Sequence, residues 1–318
     1  MPKYGLTLSS EEHSGPHLVE VATAAEEAGF DFVSISDHFH PWISEQGHSP
    51  FVWSTLGAIS QATDRIHVGV GVSCPIMRMH PVIYAHAAAS TAQLFAGRFT
   101  WGVGTGEALN EHVIGDRWPP ADVRVEMLEE AISLIRRLWE GESVTHRGRH
   151  YTVEDARLFD LPDSPPGILV SAFGEQSARL AAKAGDGLWS TGIQSEVIEI
   201  YRSSGGDGPI WSQFTVCWDP DRDAALERAT RVWPNTALPG QLVQDLPTVK
   251  HFEQAARMVT RTAIEDSAMP LGPDPEPILQ SISAASEAGI DHIYLHQVGD
   301  PLHGFIDFWN EELRPNLD

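Results

Sequence analysis

The sequence is poor in cysteine and contains no long hydrophobic run. Its 318 residues include only two cysteines, Cys74 and Cys217, which lie far apart and outside any C-x-x-C or Cys/His spacing. This pattern excludes a disulfide-based scaffold and predicts no metal site, so we expect both thiols to be buried apolar fillers. Since no apolar run approaches the roughly 20 residues of a membrane helix, we expect neither a membrane span nor a signal peptide, and a cytoplasmic location.

Basic residues are also scarce. Lys and Arg number 21 against 44 for Asp and Glu, which gives a formal net charge of −23. A chain this acidic is repelled by nucleic acid and by anionic membrane surfaces. We therefore expect neither of these partners, and we expect a small-molecule substrate.

Apolar segments of strand length alternate with segments of helical period about eight times along the chain. The predicted strands are Tyr4–Leu8, Asp31–Ser36, Ile66–Val72, Phe99–Val103, Ile168–Ser171, Gly187–Ser190, Pro209–Trp218 and His292–His296. This alternation, without a break in composition, favours a (β/α)8 TIM barrel over an open doubly wound sheet. We predict an α/β fold with one barrel domain over residues 1–318.

Two stretches interrupt the alternation. A predicted hairpin over 143–153 follows strand 4, and the segment 234–277, which contains seven prolines, follows strand 7. We interpret both as insertions, and we expect the second to lie over the barrel mouth.

A cluster of polar and aromatic side chains follows the second predicted strand, within Ser36-Asp37-His38-Phe39-His40-Pro41-Trp42. The active face of such a barrel lies at the carboxyl ends of its strands. Asp37 could accept a hydrogen bond from His38 and fix its tautomer, and His38 could move a proton near neutral pH. The indole ring of Trp42 offers a flat surface that suits an aromatic cofactor. The alternative is that His38 and His40 are ordinary loop histidines.

A second cluster follows the fourth predicted strand, in Gly104-Thr105-Gly106-Glu107. Gly104 and Gly106 permit close backbone approach to a planar ligand, and Glu107 would project into the same mouth. Taken alone, glycines that follow a strand are more often turn formers than part of a ligand-binding loop. The stretch is not the dinucleotide fingerprint, which needs Gly-x-Gly-x-x-Gly.

Four motifs together resemble the luciferase-like deazaflavin oxidoreductases, in the group that contains the F420-dependent glucose-6-phosphate and secondary alcohol dehydrogenases. The resemblance runs from Tyr4 to about Asn310 and is weak over 234–277. The motifs are Ser36-Asp37-His38-Phe39-His40-Pro41-Trp42, Gly47-His48-Ser49-Pro50, Cys74-Pro75-Ile76-Met77-Arg78 and Gly104-Thr105-Gly106-Glu107-Ala108-Leu109-Asn110-Glu111. The resemblance implies a bacterial luciferase-like barrel, coenzyme F420 in its mouth, hydride transfer at ring C5 and a homodimer.

The resemblance also implies residue roles. His38 would be the acid or base on the substrate oxygen, with Asp37 as its orienting neighbour. Trp42 would stabilise the reacting complex, Glu107 would serve the N1 edge of the ring, and Glu11 matches a family glutamate near the site. The expected cofactor contacts are Asp37, Gly71, Val72, Ser73, Cys74, Thr105, Gly106, Asn110, Ala172, Phe173 and Gly174, with a non-prolyl cis bond at Gly71-Val72. Position alone suggests Arg78, Arg179 and Lys183 as cations for the anionic cofactor tail.

One departure from the family bears on the substrate. Gln194 stands where the sugar-phosphate enzymes would have a phosphate-binding lysine. We therefore expect a neutral or apolar alcohol, ketone or enone rather than glucose 6-phosphate. The alternatives are an FMN-dependent monooxygenase of the same fold, a zinc hydrolase built on His38 and His40, and a cofactor-binding protein without catalysis.

Overall fold

The computed structural model describes residues 1–317 and contains a closed barrel of eight parallel strands. The barrel strands, in chain order, are β1 (Lys3–Leu8), β2 (Phe32–Ile35), β3 (His67–Ser73), β4 (Phe99–Val103), β7 (Gly167–Ser171), β8 (Gly187–Thr191), β9 (Ile210–Val216) and β10 (His292–Gln297). Neighbours in this order pair in parallel, and β10 closes the barrel on β1 with Leu6 opposite Leu295. The predicted fold is confirmed.

Helices connect the strands and surround the barrel. Those of eight residues or more are α1 (Gly15–Glu27), α2 (Val52–Ala62), α3 (Pro81–Phe95), α5 (Ala121–Leu138), α6 (Glu175–Ala184), α7 (Ser195–Ser203), α8 (Arg222–Val232), α10 (Val249–Ala256) and α12 (Glu276–Glu287). The shorter ones are α4 (Ala108–Glu111), α9 (Leu242–Asp245), α11 (Arg261–Glu265) and α13 (Leu302–Phe308). Among the residues described, no helix has both the length and the apolar character needed to cross a membrane.

Aromatic side chains fill the barrel interior below the mouth. Phe32, Leu169, Trp189, Trp211 and Tyr294 form one buried cluster, in which the indole rings of Trp189 and Trp211 stack with centroids 4.9 Å apart. Trp189 Nε1 donates to the Tyr294 hydroxyl at 2.6 Å. This plug is rigid, and it forms a floor for a site above it.

Two segments depart from the β/α repeat, as predicted. They follow the fourth and the seventh strands of the barrel, which are β4 and β9. The strands β5 (Val144–Arg147) and β6 (Thr152–Ala156) form an antiparallel hairpin. The stretch after α8 contains α9, α10 and α11. Strand β9 is shorter than predicted, because it begins at Ile210 and ends at Val216.

Candidate active site

A cavity of about 430 Å³ opens at the carboxyl ends of the barrel strands. Its floor includes Trp189 and Tyr294, and its walls include His38, Trp42 and Glu107. The size falls within the range typical of small-molecule sites. Three predicted catalytic side chains, two from the loop after β2 and one from the loop after β4, therefore face one space.

His38 pairs with Glu11, which the end of β1 brings beneath the loop after β2. The His38 Nε2 atom lies 3.2 Å from Glu11 Oε1, and both side chains line the cavity. The other ring nitrogen, Nδ1, lies 3.1 Å from the carbonyl oxygen of His40. Because a carbonyl can only accept, Nδ1 carries a proton in either charge state of the ring, and Nε2, beside Glu11, is the nitrogen that can gain or lose one.

Serine hydroxyls hold the Glu11 carboxylate in place. Its Oε2 accepts from Ser36 Oγ at 2.6 Å and from Ser9 Oγ at 3.1 Å, and the residue is only 4% exposed. Burial by itself would raise the pKa of Glu11, but nearby His38 and the hydrogen bond from Ser36 outweigh it, so the pKa is lowered. Glu11 is therefore a buried carboxylate in its charged form beside the imidazole.

Asp37 does not orient His38, and this corrects our prediction. Its carboxylate Oδ1 accepts from Arg78 Nη2 at 2.7 Å, behind the loop and away from the cavity. Arg78 also donates its backbone N–H to Glu111 Oε2 at 2.8 Å, and burial raises the pKa of Glu111 to about 7. Arg78 is thus enclosed by two carboxylates, which leaves it unsuited to bind a cofactor tail. Side chains from three loops form this network, so adjacency in sequence misled the assignment.

Trp42 forms a wall beside His38. The two rings meet edge to face with centroids 4.9 Å apart. On its other side Trp42 packs against Phe252 of α10, and its backbone N–H donates to Gln46 Oε1 at 2.8 Å. These contacts restrict the indole to one orientation at the cavity edge.

Glu107 lies where the first cavity meets a second one. The second, of about 470 Å³, runs outward along the loops after β4 and β7 and shares Val72, Glu107 and Phe173 with the first. Thr105, Gly106 and Gly174 line it as well. Because they share wall residues, the two cavities form one groove with Glu107 at their junction.

Asn110 connects the two catalytic loops without facing either cavity. Its Oδ1 accepts from the backbone N–H groups of Phe39 and His40 at 2.9 and 3.1 Å. Its Nδ2 donates to Glu107 Oε2 at 3.3 Å. Asn110 thus fixes the position of Glu107 relative to the loop that carries His38.

The end of β3 has the predicted backbone geometry, since the Gly71-Val72 peptide bond is cis. Both residues line the first cavity. Ser73 and Cys74 are buried and line neither cavity, and burial raises the pKa of the Cys74 thiol well above its ordinary value. A Cβ on Gly106 would approach Cys74 Sγ to 2.4 Å, and Gly106 has φ +73°, so only glycine fits there.

Arg179 and Lys183 lie at the surface and line neither cavity. Arg179 Nη2 donates to Glu175 Oε1 at 2.9 Å, and Lys183 pairs with Glu129. Ala172 is buried and likewise lines neither cavity. Ala172 follows the end of β7 directly, whereas Arg179 and Lys183 lie within α6, and none of the three lines the groove.

Arg124, which the sequence analysis missed, lies on the wall of the second cavity. The residue is only 3% exposed, its Nε has no hydrogen-bond partner, and it forms no salt bridge with any residue from 1 to 317. Its Nη1 and Nη2 bind the Pro119 carbonyl and Gln244 Oε1 at 2.7 and 3.4 Å. Its guanidinium also stacks over the Trp118 ring, 4.3 Å from the ring centroid, and Asp245 lies near enough to act on its charge. Because no carboxylate pairs with it directly, Arg124 can still bind an anion.

The remaining walls of the first cavity are mainly polar or aromatic. The residues that sequence analysis missed include Thr7, Gln213, Thr215, Trp233, Asn235 and His296. Among residues 1–317, no Lys or Arg lines the first cavity, whereas Glu11 and Glu107 do. Ser190 Oγ and Asn235 Oδ1 are buried at its wall without hydrogen-bond partners, which leaves them for a ligand or water.

His40 does not join His38 in a metal site, as the hydrolase alternative would require. Its Nδ1 lies 3.1 Å from the carbonyl oxygen of Leu109, away from Glu11. His38 uses both ring nitrogens on His40 and Glu11. The arrangement is that of an acid-base pair beside an aromatic wall.

The chain is similar in sequence and in fold to known enzymes. The family model described as luciferase-like monooxygenase matches residues 3–292. An F420-dependent glucose-6-phosphate dehydrogenase of Segniliparus rotundus is 34% identical over 330 residues, which is 99% of this chain and 98% of that protein. The structure of an F420-dependent secondary alcohol dehydrogenase with an F420-acetone adduct superposes with a TM-score of 0.90 at 30% identity, over 100% of this chain and 99% of that one.

The fold extends to more distant enzymes. The F420-dependent tetrahydromethanopterin reductase of Methanopyrus kandleri superposes with a TM-score of 0.79 over 100% of this chain and 99% of that one, at 17% identity. At this identity the likeness concerns the fold alone.

Proposed function

The chain belongs to the luciferase-like family, in its group of F420-dependent dehydrogenases, and on that premise we propose that it interconverts an unphosphorylated alcohol and its carbonyl compound. It is an F420-dependent oxidoreductase. FMN has less support as its cofactor, because the two relatives described above with at least 30% identity are both named for F420.

The groove suits a long cofactor with a flat ring and an anionic tail. We assign the ring to the junction of the two cavities, beside Val72 and Glu107, and the tail to the second cavity, along Gly106 and Gly174. Arg124, buried without a carboxylate, supplies the cation that a phosphodiester would need in this acidic protein. Arg124 therefore replaces Arg78, Arg179 and Lys183 as the proposed tail contact.

When bound, F420 supplies a carrier that accepts or donates a hydride at ring C5. We assign the matching proton to His38. In the oxidation direction the hydroxyl proton of the alcohol moves to Nε2, while the carbon loses hydride and becomes a carbonyl. Glu11, 3.2 Å away, then stabilises the imidazolium, and in the reverse direction His38 returns the proton to the carbonyl oxygen.

Trp42 and Glu107 complete the proposed site. Trp42 closes the side next to His38 and limits where the substrate oxygen can sit. Glu107, held by Asn110, is the proposed partner of the N1 edge of the ring. Ser73, Cys74, Asn110 and Ala172 are then supporting residues rather than direct cofactor contacts.

The charge of the first cavity carries the proposal about the substrate. Its ionisable wall residues include the carboxylates Glu11 and Glu107 and no Lys or Arg. Gln194, at the predicted phosphate position, donates to the Thr191 carbonyl at 3.2 Å and lies outside the cavity wall. A sugar phosphate would bring two negative charges next to two carboxylates, whereas a neutral alcohol meets aromatic and hydroxyl groups.

We also propose that the segment 234–277 is an insertion that covers the mouth. Asn235, Leu238, Val243 and Gln244 from this segment line the first cavity. The expected homodimer stays a prediction, which light scattering of the purified protein would test.

The direct test is a substrate comparison with F420 at saturation. We expect turnover of a neutral secondary alcohol and no turnover of glucose 6-phosphate. Turnover is measured as the loss of the oxidised cofactor's visible absorbance. Inorganic phosphate should not inhibit the reaction. Turnover of glucose 6-phosphate, or competitive inhibition by phosphate, would show that the cavity holds a cation we have not identified.

A further inference from the structure

Two histidines and an aspartate converge outside the groove, where the loop after β1 meets the loop after β10. His13 lies just before α1, His17 lies in its first turn, and Asp300 lies between β10 and α13. One ligand atom from each lies within 4.8 Å of the other two. None of these residues lines either cavity of the groove.

We propose that His13, His17 and Asp300 bind a divalent transition-metal ion of the Zn²⁺ type. Two imidazoles and one carboxylate are a common ligand set for such ions, whereas Mg²⁺ and Ca²⁺ prefer oxygen ligands alone. Ligand atoms about 2.1 Å from one ion lie within roughly 4.2 Å of one another, so side-chain shifts below about 1 Å would complete the site.

The histidine nitrogens lack partners that would explain them otherwise. His13 is only 5% exposed, and its Nε2 is buried without a hydrogen-bond partner. The Nε2 of His17 is likewise buried and unpartnered, with its nearest charge at Asp300 Oδ1, 3.8 Å away. Buried polar atoms without partners are rare and point to a missing ligand.

A neighbouring carboxylate orients the His17 ring. On the far side of the His17 ring, Nδ1 lies 3.4 Å from Glu20 Oε2. A carboxylate at the second nitrogen of a metal-binding histidine fixes the ring orientation and raises its basicity.

A metal here would connect two loops that support the catalytic mouth. Glu12, next to His13, accepts from the backbone N–H of Gly299, next to Asp300, at 2.8 Å. The other oxygen of Glu12 lies 2.7 Å from Nε2 of His296, which lines the first cavity. The ion would therefore hold the ends of β1 and β10 together and stabilise the Glu12-His296 pair.

The test is Zn²⁺ binding to the full chain, freed of any affinity tag and treated with a chelator. We expect one equivalent per chain in competition with a chromophoric indicator, and no displacement by Mg²⁺. His17→Ala and Asp300→Asn, both at partly exposed positions, should each weaken binding at least about tenfold. His86→Ala, which removes an exposed histidine on α3, is the matched control and should bind like the wild type.

Two further measurements separate this site from scattered surface binding. Co²⁺ should give visible d–d absorption in the wild type that Asp300→Asn loses, and Zn²⁺ should raise the thermal midpoint of the wild type but not of this variant. The proposal fails if the wild type takes up no equivalent of Zn²⁺. It also fails if His17→Ala and Asp300→Asn bind as the wild type does.

Discussion

Replacement of Glu11 by Gln tests the proposed proton chemistry most sharply. The amide has nearly the same size as the carboxylate, so packing beside Ser9 and Ser36 is retained. It removes the charge 3.2 Å from His38 Nε2, where a proton arrives during oxidation of the alcohol. A hydrogen bond to a charged group is worth about 1.5–3 kcal/mol, which corresponds to roughly 10- to 150-fold in rate.

We therefore expect Glu11→Gln to lower kcat by about 10- to 100-fold. Affinity for F420 should change by less than about threefold, because Glu11 lines the first cavity and not the second. Single-turnover measurements at saturating cofactor would give the rate, and fluorescence titration would give the affinity.

The matched control is Glu45→Gln, which removes an exposed carboxylate, paired with Arg231, from the same loop as Trp42. It should retain wild-type turnover. Near-wild-type turnover of folded Glu11→Gln would refute the role given to the Glu11-His38 pair. So would a large loss of cofactor affinity without a loss of rate.

Two further predictions concern the cofactor tail and acid stability. Arg124→Met should weaken F420 binding about 10- to 100-fold and reduce its salt dependence, while Arg179→Ala should leave both unchanged; equal effects of the two variants would contradict the tail assignment. Burial and nearby cations lower the pKa of His67 to about 4 and that of His292 to about 3, so both stay neutral in the folded protein while the unfolded chain protonates below about 6.5. The free energy of unfolding is then at its full value above pH 6.5 and decreases as the pH is lowered. The decrease is about 1–2 kcal/mol per histidine between pH 7 and 5 after allowance for solvent screening. Urea unfolding should show a weaker pH dependence for His292→Phe, and an unchanged dependence would contradict this.

The barrel was predictable because its strands are buried on both faces and therefore appear as continuous apolar runs. The run from Phe30 to Ile35 marks β2, and the polar residues after it mark the active face. The same rule located His38, Trp42 and Glu107, since each follows a strand end directly. The cis bond at Gly71-Val72 followed from the family resemblance alone.

The partners of these residues depend on side-chain direction, which a single sequence does not encode. Asp37 neighbours His38 in the chain but turns back to Arg78, whereas Glu11 reaches the imidazole from another strand. Trp189 reads as an ordinary core residue of β8, yet it forms part of the cavity floor. Asn235 lies in a segment without regular period, which gave no signal for its position.

Arg124 and the histidine cluster were missed for a related reason. The amphipathic pattern of α5 gives a basic residue there the appearance of a solvated helix charge. Only the three-dimensional structure shows that Arg124 is buried at the groove without a carboxylate. His13 and Asp300 are separated by nearly the whole chain and meet only because β10 closes the barrel on β1.

The central claim is that F420 binds in this groove and exchanges hydride with a neutral alcohol. The measurement that tests it most directly is a titration of the purified protein with F420 and with FMN, in which quenching of tryptophan fluorescence reports binding. A secondary alcohol is then added to the loaded protein. We predict tight binding of F420, weaker binding of FMN, and loss of the oxidised F420 absorbance once the alcohol is present. Binding of FMN in preference to F420, or bound F420 that no alcohol reduces and whose reduced form no ketone oxidises, would contradict the account.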